Sequence, residues 1–125
     1  MISQGRLGTR DLPRAKVFYD AIAELLGAEC VRNLPNAVFY RGKAGTMLII
    51  GLPFAGEATV GNGVMLGIQA PSREMVDTIF AKAIELGGTS EGNPGPRGPE
   101  GSGYYACYFR DLDGNKLMVN HLEKS

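Results

Sequence analysis

The sequence has 125 residues, 44% hydrophobic and 21% charged, which bounds it to one ordinary globular domain or two very small units sharing a core. Thirteen Lys and Arg balance thirteen Asp and Glu, so no charge excess points to nucleic acid, a membrane surface or a strongly charged partner. The start, "MISQGRLGTRDL", has neither a basic nor an apolar leader segment, no apolar run is long enough to span a bilayer, and Cys30 and Cys107 match no zinc spacing; the expectation is a cytoplasmic protein with reduced thiols.

The first strand-like stretch is "ISQGRLGT". A helix follows in "DLPRAKVFYDAIAELLGAE", where Ala15, Phe18, Ile22 and Leu25 recur at steps of three and four and make one apolar face. Asp11 stands at the N-cap, Pro13 in the first turn, and Gly27 where a left-handed residue ends a helix. Three β-like stretches come next, "AECVRN", "AVFYRG" and "TMLIIG", split by Leu34-Pro35-Asn36 and by Gly42 to Gly45. The glycine-rich "PFAGEATVGNG" has no periodicity and reads as a connection.

The second half repeats the order. "GVMLGIQA" is a strand, and "PSREMVDTIFAKAIELGG" is a helix with Val76, Ile79 or Phe80, Ala83 and Leu86 as its stripe, Ser72 as cap and Gly87-Gly88 as stop. A short "GTSEG" precedes a long loop over Gly92–Gly103, of a length that often covers a site. "GYYACYF" and "NKLMVNH" are the last strands, joined by "DLDGN", whose Asp113-Gly114 pair signals a hairpin. The caps Asp11 and Ser72 stand 61 residues apart (72 − 11), and Ala15 to Val76, Phe18 to Ile79, Leu25 to Leu86 and Gly27 to Gly88 keep that offset. An ungapped repeat through strand, cap, stripe and stop is the mark of internal duplication. The expected organisation is a single α+β domain of two β-α-β-β-β modules, residues 1–53 and 61–125, with 54–60 as linker and the sheets paired around a concavity.

Strand alternation then assigns faces. Val64, Leu66 and Ile68 should lie under the second helix, which turns Met65, Gly67 and Gln69 the other way. The 61-residue offset puts Gln4 with Met65 and Arg6 with Gly67. In the last strand Leu117, Val119 and His121 share one face, and Lys116, Met118 and Asn120 the other. The expected lining of the concavity is therefore Gln4, Arg6, Met65, Gln69, Met118 and Asn120: amides, thioethers and one guanidinium, with no carboxylate or imidazole. Arg6 would meet an anionic group of a ligand or pair with a nearby acid. Arg97 would close over an anion or remain a solvated loop charge. For strand 104–109, alternation separates Tyr105, Cys107 and Phe109 from Tyr104, Ala106 and Tyr108 without saying which set faces inward.

The segments "DLPRAKVFYD", "APSREMVDTIFAKAIELGG" and "GYYACYFRDLDGNKLMV" resemble the vicinal oxygen chelate superfamily, which includes glyoxalase I, bleomycin-resistance proteins and extradiol dioxygenases. The resemblance covers essentially the whole chain. It implies paired β-α-β-β-β modules forming a concave mixed sheet, usually a homodimer, with a site inside. Metal-using members place histidine on a module's first strand and a carboxylate on its last; carried over, those positions are Gln4, Met65 and Met118. Thioethers and an amide do not match a site holding Fe, Mn, Ni, Zn or Mg through nitrogen and oxygen. The expectation is a metal-free protein without cofactor that binds a small neutral or anionic molecule, with no nucleic-acid or membrane partner. The alternatives are a metal-dependent enzyme (a lyase, isomerase or dioxygenase, glyoxalase I- or dioxygenase-like by the resemblance) with atypical ligands, its catalytic residues unassigned, or a non-catalytic interaction domain.

Overall fold

A computed structural model describes residues 1–123. It contains β1 (Gln4–Gly8), α1 (Leu12–Leu26), β2 (Glu29–Asn33), β3 (Ala37–Arg41), β4 (Met47–Gly51), β5 (Leu66–Gln69), α2 (Arg73–Glu85), β6 (Thr89–Pro96), β7 (Tyr104–Arg110) and β8 (Lys116–Leu122). The chain divides into two compact units: residues 1–63 with the turn Leu112–Asn115, and the remainder. Each holds one helix and one mixed four-stranded sheet, with orders β1-β4-β3-β2 and β5-β8-β7-β6. The fold class is thus the expected α+β arrangement of strand, helix and three further strands.

In the first unit the helix ends form as their residues dictate. The Asp11 carboxylate accepts from the Arg14 N–H, and Gly27 closes α1 in the left-handed region at φ 68°. Ala15, Phe18 and Ile22 are buried on the predicted stripe, joined by Leu12 and Tyr19. They pack over a sheet in which β1 runs parallel to β4, and β4 and β2 run antiparallel to β3. Leu7, Val38, Tyr40 and Ile50 complete this core. The Tyr40 hydroxyl donates to Asp20 of α1 at 2.7 Å; burial, then the Asp20 carboxylate, push this phenol far above its usual range.

The second unit follows the same logic. Ser72 accepts from the Met75 N–H, and Val76, Ile79 and Ala83 are fully buried against Cys107, Phe109, Leu117 and Val119. The unresolved facing of β7 is now fixed, because Tyr105 donates to Asp77 of α2 at 2.6 Å. Tyr105, Cys107 and Phe109 therefore lie under the helix. Two expectations need correction. Val64 does not sit under α2; it precedes β5 and is 56% exposed. Nor is Gly92–Gly103 one long loop. β6 runs on to Pro96, paired with β7 through two register shifts, so the connection begins only at Arg97. Glycines and prolines obscured this strand because bulges admit them where regular pairing does not.

The two thiols differ sharply in environment. Cys30 is exposed, whereas Cys107 is buried and its thiol is pushed up to about 11, chiefly by burial. A disulfide-exchange reagent at pH 8 should titrate one thiol in the native protein and both after denaturation. Two rapid native thiols would show instead that β7 opens readily.

Candidate functional site

The face of the second sheet turned away from α2 carries Gln69, Met118 and Asn120, three of the six residues singled out by alternation. Parallel pairing sets Gly67 beside Met118 and Gln69 beside Asn120. Antiparallel pairing sets Tyr104 beside Leu122, Ala106 beside Asn120, Tyr108 beside Met118 and Arg110 beside Lys116. Met118 is the middle of this surface. Its thioether sulfur accepts the Tyr104 hydroxyl at 3.2 Å. Burial first, and then Tyr108, raise the Tyr104 phenol, so it remains a neutral donor around neutral pH.

Gly67 keeps the centre open. A Cβ placed there would stand 3.5 Å from Met118 Cε and 3.6 Å from Asn120 Nδ2, ordinary contact distances. The missing side chain thus leaves a shallow seat bordered by a thioether and an amide. Asn120 Nδ2 donates to the Ile68 carbonyl at 3.4 Å, leaving its amide oxygen as an acceptor. Gln69 is exposed at the end of the same row, and Met65 lies just ahead of β5, 40% exposed.

Gln4 and Arg6 belong to the first unit, on the face of β1 opposite the buried Leu7. Arg6 crosses Gly51, where a Cβ would come within 2.7 Å of Nη2, and donates to the Leu52 carbonyl at 2.9 Å. Its guanidinium also stands 5.9 Å from the Phe54 ring. That Phe54 ring is otherwise bare. The charge of Arg6 is therefore held by a carbonyl and an aromatic ring, with no carboxylate among its described contacts.

Sequence reasoning placed Lys116 on the Met118 face but passed over it as a site residue. Its ammonium stands 5.6 Å from the Tyr108 ring centre, and the Arg97 guanidinium stands 5.8 Å from the same ring. The available signal was the phase of Lys116 with Met118.

His121 is turned elsewhere. Its Nδ1 lies 3.0 Å from the Ala70 carbonyl, which can only accept, so Nδ1 carries the proton. It borders an open cleft of about 500 Å³ with Gln69, Ala70, Pro71, Leu122 and Glu123. Asp113 is taken by Thr9, Arg10 and Arg14. Among the described residues, no group of three or more His, Cys, Asp or Glu is arranged to hold a metal ion. No helix among them is long and apolar enough to cross a membrane.

Comparison with known proteins gives concordant findings. The family model described as the Glyoxalase/Bleomycin resistance protein/Dioxygenase superfamily matches residues 2–119. A crystal structure of a glyoxalase/bleomycin resistance protein from Albidiferax ferrireducens T118 is similar at 39% identity and TM-score 0.86, over 97% of this chain and 98% of that one. A putative glyoxalase from Bacillus halodurans aligns at 21% identity and TM-score 0.76, over 97% and 95% of the two chains. A lactoylglutathione lyase from Agrobacterium tumefaciens aligns at 24% and 0.68, over 97% and 92%. The last two likenesses concern the fold alone. A comparison with curated proteins found no match.

Proposed function

The chain belongs to the Glyoxalase/Bleomycin resistance protein/Dioxygenase superfamily, and from that membership we propose that it is a small-molecule-binding member that works without the divalent metal of its metal-using relatives. The observation that carries this reading is Met118. It occupies the position at which the sequence resemblance implies a carboxylate, and its sulfur already accepts a tyrosine hydroxyl. A thioether is a poor ligand for hard or borderline divalent ions, and the other two implied positions, Gln4 and Met65, offer an amide and a second thioether. In the second unit the ligand contacts are Met65, Gln69, Met118 and Asn120; in the first, Gln4 and Arg6. Thioethers supply an adaptable apolar surface and amides orient a polar group. The ligand is neutral or anionic, since none of these six residues carries a carboxylate to receive a cation. The protein is further proposed to be a cytoplasmic homodimer of duplicated modules, residues 1–53 and 61–125.

The test has two arms. Metal analysis of protein purified without chelator should find no stoichiometric Fe, Mn, Ni, Zn or Mg, and none of these ions should raise the melting temperature. A thermal-shift screen of neutral and anionic small molecules should return concentration-dependent stabilisation, which arises when a ligand binds the folded chain alone. Tight metal at one ion per chain, or a screen without a single stabilising compound, overturns the proposal.

A further inference from the structure

We infer that the ligand seat of the second unit selects organic monoanions, with Arg97 and Lys116 reading the carboxylate across Tyr108 and the apolar body lying over Gly67 and Met118. This rests on the reading that the Met118 face binds a small molecule, and it adds the charge and shape of that molecule.

Arg97 is built into place. Its Nη2 donates to the Asn93 carbonyl at 2.6 Å and its Nη1 to the Pro96 carbonyl at 3.1 Å. This fold-back depends on two missing side chains. A Cβ at Gly92 would come within 3.1 Å of Tyr108 and 3.5 Å of Arg97 Nη2, and one at Gly95 within 3.0 Å of Nη1. The guanidinium therefore lies along β6 against Tyr108 rather than extending into solvent. A guanidinium carries five N–H donors, and the two carbonyls use two of them. Carbonyl partners fix its direction without cancelling its charge.

Lys116 approaches the same ring from β8, two residues before Met118. Neither Arg97 nor Lys116 forms an ion pair with a carboxylate among the described residues. The neighbouring acid, Glu91, is committed to Arg110 at 2.6 Å. That bond holds the Glu91 carboxyl below its usual range, with Lys116 a lesser contributor. Arg110 and Glu91 cancel, which leaves the two positive charges beside Tyr108 without a bonded counter-ion. A carboxylate is a charge-assisted partner for either cation.

The body of the ligand follows from the register. Along β8, Lys116 and Met118 are about 7 Å apart. Beyond the charged end lie Met118 and Gly67, a thioether beside a residue without a side chain, with Ala106 fully buried beneath. A flat apolar body of one or two fused rings covers that distance, and a thioether packs well on an aromatic ring.

The test compares isosteric pairs: benzoate with benzamide, and 2-naphthoate with 2-naphthamide. Binding is measured by titration calorimetry and by amide chemical-shift mapping on the full chain. 2-Naphthoate should bind at least about tenfold more tightly than its amide, the fold-change expected for about one charge-assisted hydrogen bond. Arg97→Gln and Lys116→Gln should each weaken it by about fivefold or more, with the amide spectrum of the free protein still that of the folded chain. Added NaCl should weaken it too, and the shift changes should centre on Tyr108 and Met118. Equal binding of acid and amide, or full affinity in both variants, overturns the inference while leaving a neutral-ligand function intact. No binding of either carboxylate also overturns it, and the broader screen then decides the function separately.

Discussion

Replacing Asp113 by alanine should lower the stability of the protein by about 2–4 kcal/mol, a fall of about 10 °C in melting temperature for a chain of this size. The side chain is 4% exposed. Oδ2 accepts the Thr9 hydroxyl at 2.5 Å, and Oδ1 accepts the Arg10 N–H at 3.0 Å. Thr9 is fully buried, and its oxygen in turn accepts the N–H of Asp11, the residue that caps α1. One carboxylate thus orders the end of β1 and the start of α1. Alanine would leave the buried Thr9 hydroxyl only the Asp11 carbonyl at 3.2 Å in place of a charged acceptor at 2.5 Å, and a bond to a charged group contributes more than a neutral one. The flanking ion pairs to Arg10 at 3.5 Å and Arg14 at 3.3 Å are with half-exposed arginines, so they add little. Two consequences separate these causes. Asp113→Asn, which keeps an acceptor oxygen, should recover part of the loss, and added salt should leave the Asp113→Ala deficit nearly unchanged. A fall of under 2 °C in thermal melts would show that the network contributes nothing of note.

The same residue shows how far the sequence could be read. "DLDGN" was legible as a turn because Asp-Gly chemistry is local, and Gly114 does adopt a positive φ, 89°. The bonds of Asp113 to Thr9 and Arg10 were not legible, for they join residues more than a hundred positions apart. Caps and stripes of both helices were legible for the same local reason, down to Asp11, Gly27 and Ser72. Alternation gave the facing of β8 because Leu117 and Val119 contrast with Lys116 and Asn120. It failed on β7, where both sets carry aromatic or small residues and only the Tyr105 bond to Asp77 decides. Arg97 was the hardest. Its position is set by side chains that Gly92 and Gly95 do not have, on a bulged strand that glycine and proline disguise as a loop. Patterns report what residues contribute; a seat made by omission becomes visible only once register is known.

That kind of seat makes its own prediction at Gly67. Gly67→Val should leave the fold intact and cut binding of the strongest compound from the small-molecule screen by about tenfold to a hundredfold. The backbone there is regular strand without a positive φ, and valine suits a strand better than glycine. The nearest atoms to a new Cβ are the mobile Met118 methyl at 3.5 Å and the Asn120 amide at 3.6 Å, so no backbone must move. Restricting the unfolded chain should even raise stability slightly. The valine methyls, however, occupy the space above Met118 where a ligand body would rest. Forcing bulk into such a space costs about 1–3 kcal/mol, and 1.4 kcal/mol is a factor of ten in affinity. The pair of readouts discriminates between two roles for this face. If it is a binding floor, affinity falls while the melting temperature holds. If it serves only packing, affinity is indifferent to the change, and unaltered binding to Gly67→Val would remove Met118 and Asn120 from the site.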